Sequence, residues 1–380
     1  MIRILHYIGA LELGGSQALV MELYRNINRD QYQFDFVVFP NERGPLYEEI
    51  LSLGGRVFEC PKYNGINHVK YCRWWDAFLD DHPEYKVIHG HVRSVASIYL
   101  PIIRRKHRFS IIHSHSMSNG HGIQGIIKAI LQRPIRNMAD YYMACSEEAG
   151  KWLFGDKVVS GEKYLTLPNS INIERFAYSE KNRMDIRKKY GIQGKFVVGH
   201  VGRFVDVKNH SFLLDVFEML VNSNSILSPV LMLVGDGPLK EKMEKAVAAK
   251  GLENNVIFAG NRTDTERYYS AMDVFAFPSK WEGLGIVTVE AQVSGLPCII
   301  SDVIPPKADI DSGIVKRLGL NDPSEWVNEI LEINKIISAD EYTRFSRTVE
   351  AADAGYDISR NVKLMEEIYY KAESKVSNAS

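Results

Sequence analysis

Short runs of apolar, β-branched residues alternate with longer segments of helical period from Arg3 to about Ser301. That alternation is the mark of βαβ units and parallel sheets. Strands are predicted at Arg3–Ile8, Phe34–Phe39, Arg56–Cys60, Val87–His89, Ser110–His113, Tyr141–Cys145 and Tyr164–Leu167. A second series restarts at Phe196–His200 and continues through Val230–Val234, Val256–Ala259, Val274–Phe277 and Cys298–Ser301, with helices such as Ser211–Val221 and Leu239–Lys250 between. The polar segment Asn169–Lys195 separates the two series and reads as an interdomain connection. After Ser301 the pattern turns largely helical, and Ile358–Ala372 reads as a final amphipathic helix.

In open α/β sheets ligands gather beyond the carboxyl ends of the strands, and the polar and glycine residues of this chain concentrate there. Gly14-Gly15, His89, His91, His115, Ser146 and Asn169 follow strands of the first series. Arg203, Gly235-Asp236-Gly237, Asn261, Glu282 and Asp302 follow strands of the second. Two such rims predict an α/β chain of two doubly wound, Rossmann-like domains facing each other across a ligand cleft. Bounds of 1–170 and 171–356 follow, with a helix at about 357–375 packing back on the first domain.

A length of 380 residues suits two cores. The formal net charge of −1 supplies no global drive toward nucleic acid, and none is expected as a partner. Cys60, Cys72, Cys145 and Cys298 lack paired spacing, which argues against a structural zinc site or a disulfide scaffold and for a reducing, cytoplasmic setting. No run approaches the roughly 20 apolar residues that a spanning helix needs.

The strongest local signal is WEGLGIVTVEAQVSGLP at 281–297. Glu282 precedes the turn Gly283-Leu284-Gly285, and Glu290 lies on the helix that follows. Glycines let backbone N–H groups approach a ligand closely, and a helix start adds partial positive charge, which together suit a phosphate. The two carboxylates can then accept hydroxyl hydrogen bonds. In GHVGRFVDVKNH, at 199–210, Arg203 at a strand end and Lys208 before a helix can neutralise a diphosphate without a metal.

The order Arg203…Lys208, Gly235-Asp236-Gly237-Pro238, Phe277-Pro278-Ser279, Glu282-Gly283-Leu284-Gly285, Glu290-Ala291 and Gly295-Leu296-Pro297 resembles the family 4 retaining glycosyltransferases of the GT-B fold. In the first half the resemblance takes in Gly14-Gly15, the His-x-His pairs at 89–91 and 113–115, Ser146 and LPNSINIERF at 167–176. IIHSHS at 111–116 and EAQVSGLPCIISD at 290–302 are similar to the capsule and exopolysaccharide branch.

The resemblance implies a role for each position. Glu290 would bind the donor's ribose, and Glu282 would hold hydroxyls of the transferred sugar. Arg203 and Lys208 would stabilise the departing nucleotide. Backbone amides of Gly14-Gly15 and of Leu284 to Ile286 would cap the phosphates, and the base would lie near Gly260, Asn261 and Arg262. His115 would stand beside the sugar; His113 falls inside a strand. The donor is a nucleoside-diphosphate sugar, UDP by family frequency, used without metal or other cofactor, and the acceptor a glycan or lipid-linked glycan hydroxyl. Two departures stand out: Asn169-Ser170-Ile171-Asn172 replaces Asn-Gly-x-Asp, and Val303-Ile304-Pro305-Pro306 replaces a glycine pair.

Competing chemistries find less in the sequence. Asp309-Ile310-Asp311 has Asp-x-Asp spacing but falls in a late loop. His113 and His115 have chelating spacing but no third ligand presents itself. No strand is followed by GxGxxG or a Walker loop, and Ser146 lacks a G-x-S-x-G elbow. The alternatives kept are a sugar-nucleotide epimerase of the same fold and a non-catalytic sugar-nucleotide-binding protein. GIQGIIKAILQRPIRNM at 122–138, with the basic run Arg104–Arg108, could bring the first domain against an anionic membrane.

Overall fold

The computed structural model describes residues 1–12, 14–115, 122–339 and 341–378. The chain forms two compact units, Met1–Ser170 with Asp357–Ser380, and Ile171–Tyr356. The first holds a seven-stranded sheet in the order β3-β2-β1-β4-β5-β6-β7. Its strands are β1 (Ile2–Gly9), β2 (Tyr32–Val38), β3 (Val57–Glu59), β4 (Val87–Gly90), β5 (Phe109–Ser114), β6 (Tyr141–Ala144) and β7 (Tyr164–Thr166). All its pairings are parallel. The second unit holds six parallel strands in the order β10-β9-β8-β11-β12-β13. These are β8 (Val197–Val201), β9 (Val230–Val234), β10 (Val256–Gly260), β11 (Val274–Phe277), β12 (Cys298–Ser301) and β13 (Val315–Leu318).

Central strands covered on both faces read as near-continuous apolar runs, with alternate residues serving opposite cores. In β1, Ile4 and Ile8 join Phe34, Phe36, Met365 and Tyr369 on one face. Leu5 and Tyr7 join Trp75, Tyr99 and Leu100 on the other. In β8, Val197 and Val201 pack with Tyr269 and Phe275, while Val198 packs with Leu213, Phe217 and Trp326. Each unit is thus a doubly wound Rossmann-like fold.

Three features differ from the sequence reading. β13 is an edge strand within a stretch read as helical. Its VKRL is only half-buried and carries two cations, so it lacks the apolar run that marks its neighbours. The segment read as a connection is mostly helix, Ile173–Phe176 and Glu180–Tyr190. Its charge serves packing: Arg183 and Arg187 each donate to the buried Asp273 carboxylate at 2.6 Å, and the Val197 amide donates to the same group at 2.8 Å. Ser179 caps the second helix and Gly191, in the left-handed conformation, ends it. The final helix is longer than read, Ile358–Ser377.

That helix belongs to the first unit. Asn361 donates to the Pro168 carbonyl at 2.8 Å and to Ser170 at 2.6 Å. Lys86 pairs with Glu373 at 2.9 Å, and the buried Tyr369 hydroxyl meets His89 Nδ1 at 2.8 Å. Among the described residues no helix is long and apolar enough to cross a membrane.

Candidate active site

In both sheets the strand order reverses beside the first strand, between β1 and β4 and between β8 and β11. At such a switch point the loops diverge and leave a crevice at the carboxyl edge. Arg203, Lys208, Asn261, Arg262 and Glu282 follow strands at this edge, and Glu290 lies on a helix that starts there.

The loop after β8 and the loop after β11 are stitched together. The Lys280 amide donates to the Val207 carbonyl at 2.8 Å, and Ser279 Oγ donates to the same carbonyl at 2.9 Å. Lys208 ends a short turn, Asp206–Lys208. Its ammonium donates to Glu282 Oε1 at 2.6 Å and lies 4.7 Å from the centre of the Phe277 ring. Ser279 Oγ also reaches Glu282 Oε1, at 2.6 Å. The side chains of Lys208 and Glu282 are 16% and 14% exposed, so the pair is screened far less than a surface ion pair. Arg203 is exposed and makes no side-chain hydrogen bond among the described residues.

Next to this pair begins the helix Ile286–Val293. Gly285 enters it at φ +80, a conformation that L side chains rarely adopt, and no side chain caps its first turn. Leu284 is half-buried and Gly283 exposed. The N–H groups of Ile286 and Val287 are therefore available to an anion, while the Thr288 amide donates to the Gly285 carbonyl at 2.8 Å. Glu290, on the same helix, accepts from the Tyr269 hydroxyl at 2.8 Å, a contact that fixes one oxygen of its carboxylate. Gln292 is fully buried and bonds the Ala308 carbonyl, the Ile310 amide and Ser312, locking the loop that contains Asp309 and Asp311.

Backbone contacts extend the edge toward β10. The Gly235 amide donates to the Gly260 carbonyl at 2.9 Å, and the Phe204 amide to the Asp236 carbonyl at 2.9 Å. A Cβ on Gly235 would meet the Gly202 carbonyl oxygen at 2.1 Å. Glycine is therefore needed for the approach of this loop to the one carrying Arg203. Asn261 is exposed, and Arg262 is held by Asp264 at 2.9 Å over the Tyr268 ring.

In the first unit, Gly14 and Gly15 open the helix Gly15–Asn26, which also has no side-chain cap. A Cβ on Gly15 would face Asn169 Nδ2 at 4.0 Å. Ser146 is a cap, accepting the Ala149 amide, and Asn172 caps the following turn in the place of the family's aspartate. His115 follows β5 and stacks on His113 with ring centres 4.1 Å apart. Its Nε2 meets His91 Nδ1 at 2.8 Å, and His91 Nε2 meets His6 Nδ1 at 3.0 Å. Burial, then the nearby Arg93 cation, pushes the His115 pKa down to about 3. The imidazole is neutral at pH 7, a hydrogen-bonding group and not a cation. Ser116, the last residue of the IIHSHS motif, lies outside the described residues.

Sequence reasoning did not reach Tyr269, whose hydroxyl holds Glu290, and it gave no role to the Phe277 ring beneath Lys208. Ser279 was visible only as part of a motif. It also found no third ligand for His113 and His115, whereas the parallel pairing of β4 with β5 brings His91 to them.

The chain is similar to known proteins over both units. Residues 13–175 match the family model described as Glycosyltransferase Family 4, and residues 182–331 match Glycosyl transferases group 1. EpsF of Bacillus subtilis (strain 168), named as a glycosyltransferase, is 34% identical over 99% of this chain and 98% of its own. The UDP-Gal:alpha-D-GlcNAc-diphosphoundecaprenol alpha-1,3-galactosyltransferase of Escherichia coli is 24% identical over 94% of each chain. Anabaena Alr3699/HepE, crystallised with UDP and glucose, shares the fold at a TM-score of 0.72 and 19% identity, covering 98% of this chain and 100% of its own. Sequence kinship across the full length, together with the two Rossmann-like units, establishes that the chain belongs to the family 4 glycosyltransferases.

Proposed function

We propose that the chain transfers a sugar from a UDP-sugar to a hydroxyl of a glycan or lipid-linked glycan, with retention at the anomeric carbon, during assembly of a surface polysaccharide. The observation that carries this reading is the half-buried knot of Lys208, Glu282 and Ser279 beside the uncapped helix at Gly285. Lys208 and Arg203 would neutralise the diphosphate, the first-turn amides would bind its oxygens, Glu290 would take the ribose hydroxyls, and Glu282 would take hydroxyls of the sugar. His115, neutral, would hydrogen-bond the sugar.

Glu282 is already engaged by a cation and a hydroxyl, which suits a binding group better than a nucleophile. A front-face route fits that assignment. The bond from anomeric carbon to phosphate oxygen breaks with its electron pair going to the diphosphate. The acceptor oxygen bonds to the same face, and its proton passes to the leaving phosphate oxygen. The positive groups stabilise the charge that develops there, without a metal. The names of two similar proteins, one holding UDP and glucose and one using UDP-Gal, support the donor class. Neither the epimerase nor the non-catalytic alternative is favoured by this kinship.

A thermal-shift screen of sugar nucleotides, followed by transfer assays in chelator-containing buffer, tests the reading. A UDP-sugar should raise the unfolding midpoint, and NMR of the product should show the donor's anomeric configuration. An inverted product would overturn the mechanism.

Contact with an anionic membrane is the second part of the proposal. On the helix Gly122–Gln132, Ile127 and Ile130 are 51% and 66% exposed and flank Lys128, also exposed. The basic run contributes less than its sequence suggests, because Arg105 pairs with Asp76 and Lys106 with Asp80. Co-sedimentation should increase with the anionic lipid content of liposomes; binding indifferent to lipid charge would remove this part.

A further inference from the structure

The geometry points to a divalent transition-metal site, best suited to zinc, formed by His91, His113 and His115 at the carboxyl edge of the first unit's sheet. The site goes beyond the transfer reaction and does not rest on it. One nitrogen from each ring lies within 4.8 Å of the other two. Zinc–imidazole bonds of about 2.0–2.1 Å hold ligand nitrogens roughly 3.3 Å apart, so ring rotations of about an ångström close the site. β5 supplies His113, and His115 follows two residues on, on the same side of the pleat; β4, paired with β5 through Gly90 and Ile112, leads directly to His91.

A second observation concerns hydrogen bonding. His113 Nε2 and His115 Nδ1 are both buried and have no partner. A buried polar atom left unpaired is costly, and a Lewis acid would use such lone pairs. The remaining contacts match what a metal ligand requires behind it. When His91 Nδ1 turns to the metal, its Nε2 keeps His6 Nδ1, at 3.0 Å, as the outer partner that fixes the ring. His89, stacked on both His91 and His113, is tied through Nδ1 to the Tyr369 hydroxyl.

His6, His89 and His91 form a second group with the same spacing. His6 and His89 are wholly closed to solvent, however, while His115 is partly exposed. An ion can reach the outer group, and the inner rings serve to orient it. An all-nitrogen donor set excludes magnesium and calcium, which take oxygen ligands. A metal on His115 would also remove that ring from any contact with a sugar.

The test uses the full chain, stripped with a chelator and returned to neutral buffer. Titration with Co2+ should produce a visible ligand-field band that saturates at one equivalent and is displaced by Zn2+. Zn2+ affinity is then read by competition with a chromophoric chelator. His113→Gln and His115→Gln should each weaken it by about 100-fold or more, since disturbing even an outer-shell partner costs 10- to 100-fold. His115 lies outside the strand, so its variant serves if His113→Gln does not fold. His68→Gln should bind as the native chain does; loss there would place the metal at the surface pair His68–Cys72, 3.7 Å apart, and overturn the proposal. So would the absence of a band, or native affinity in both cluster variants.

Discussion

Lys208→Met is expected to lower kcat/KM for a UDP-sugar about 100- to 1000-fold, the loss seen when one preorganised donor to a developing negative charge is removed. The ammonium lies within 2.6 Å of Glu282 and above the Phe277 ring, so its position is fixed before any donor arrives. A group held in this way needs no reorganisation as charge builds on the departing phosphate. The substitution also leaves Glu282 with Ser279 alone, a half-buried carboxylate without a cation. For that reason a second change at Glu282 should cost much less in the Lys208→Met background than in the native chain. Initial rates over a range of donor concentrations provide the measurement. A loss below tenfold would show that Lys208 is not on the diphosphate.

The second large effect concerns stability. Asp273→Ala should destabilise the second unit by about 3–5 kcal/mol, the usual consequence of removing one partner from a buried ion pair. Asp273 is 7% exposed and accepts from Arg183, Arg187 and the Val197 amide. Its removal leaves the Arg187 guanidinium without its carboxylate partner next to the start of β8. Burial already holds the pKa of that guanidinium below its ordinary value. Asp273→Asn, which keeps an acceptor for the amide, should fall between. Urea unfolding followed through the second unit tests this; a change under 1 kcal/mol would mean the arginines find other acceptors.

Elements with a continuous apolar run and a clear turn after them were legible in the sequence, which is why all twelve expected strands appear within a few residues of their places. β13 escaped because an edge strand needs only one apolar neighbour and tolerates Lys316 and Arg317. The helix Glu180–Tyr190 escaped because its polar residues bond inward, to Asp273, and a charged segment looks like a linker until its partner is known. At the site, Lys208, Glu282 and Gly285 stood out through residue type and spacing. Tyr269 did not, since nothing distinguishes a tyrosine that holds a carboxylate from one that fills a core. The histidines were visible as two pairs. Only parallel pairing across β1, β4 and β5 makes them one cluster.

The first unit is built from two segments separated in sequence, with the helix Ile358–Ser377 supplying Met365 and Tyr369 to the core around β1. During synthesis the second unit, continuous from Ile171 to Tyr356, has its whole sequence available first. The first unit must wait, with part of the apolar face around Phe34 and Phe36 uncovered, until Ile358–Ser377 leaves the ribosome. A chain stopped short of Ile358 would therefore yield one finished unit and one held open, a form exposed to chaperones and proteases.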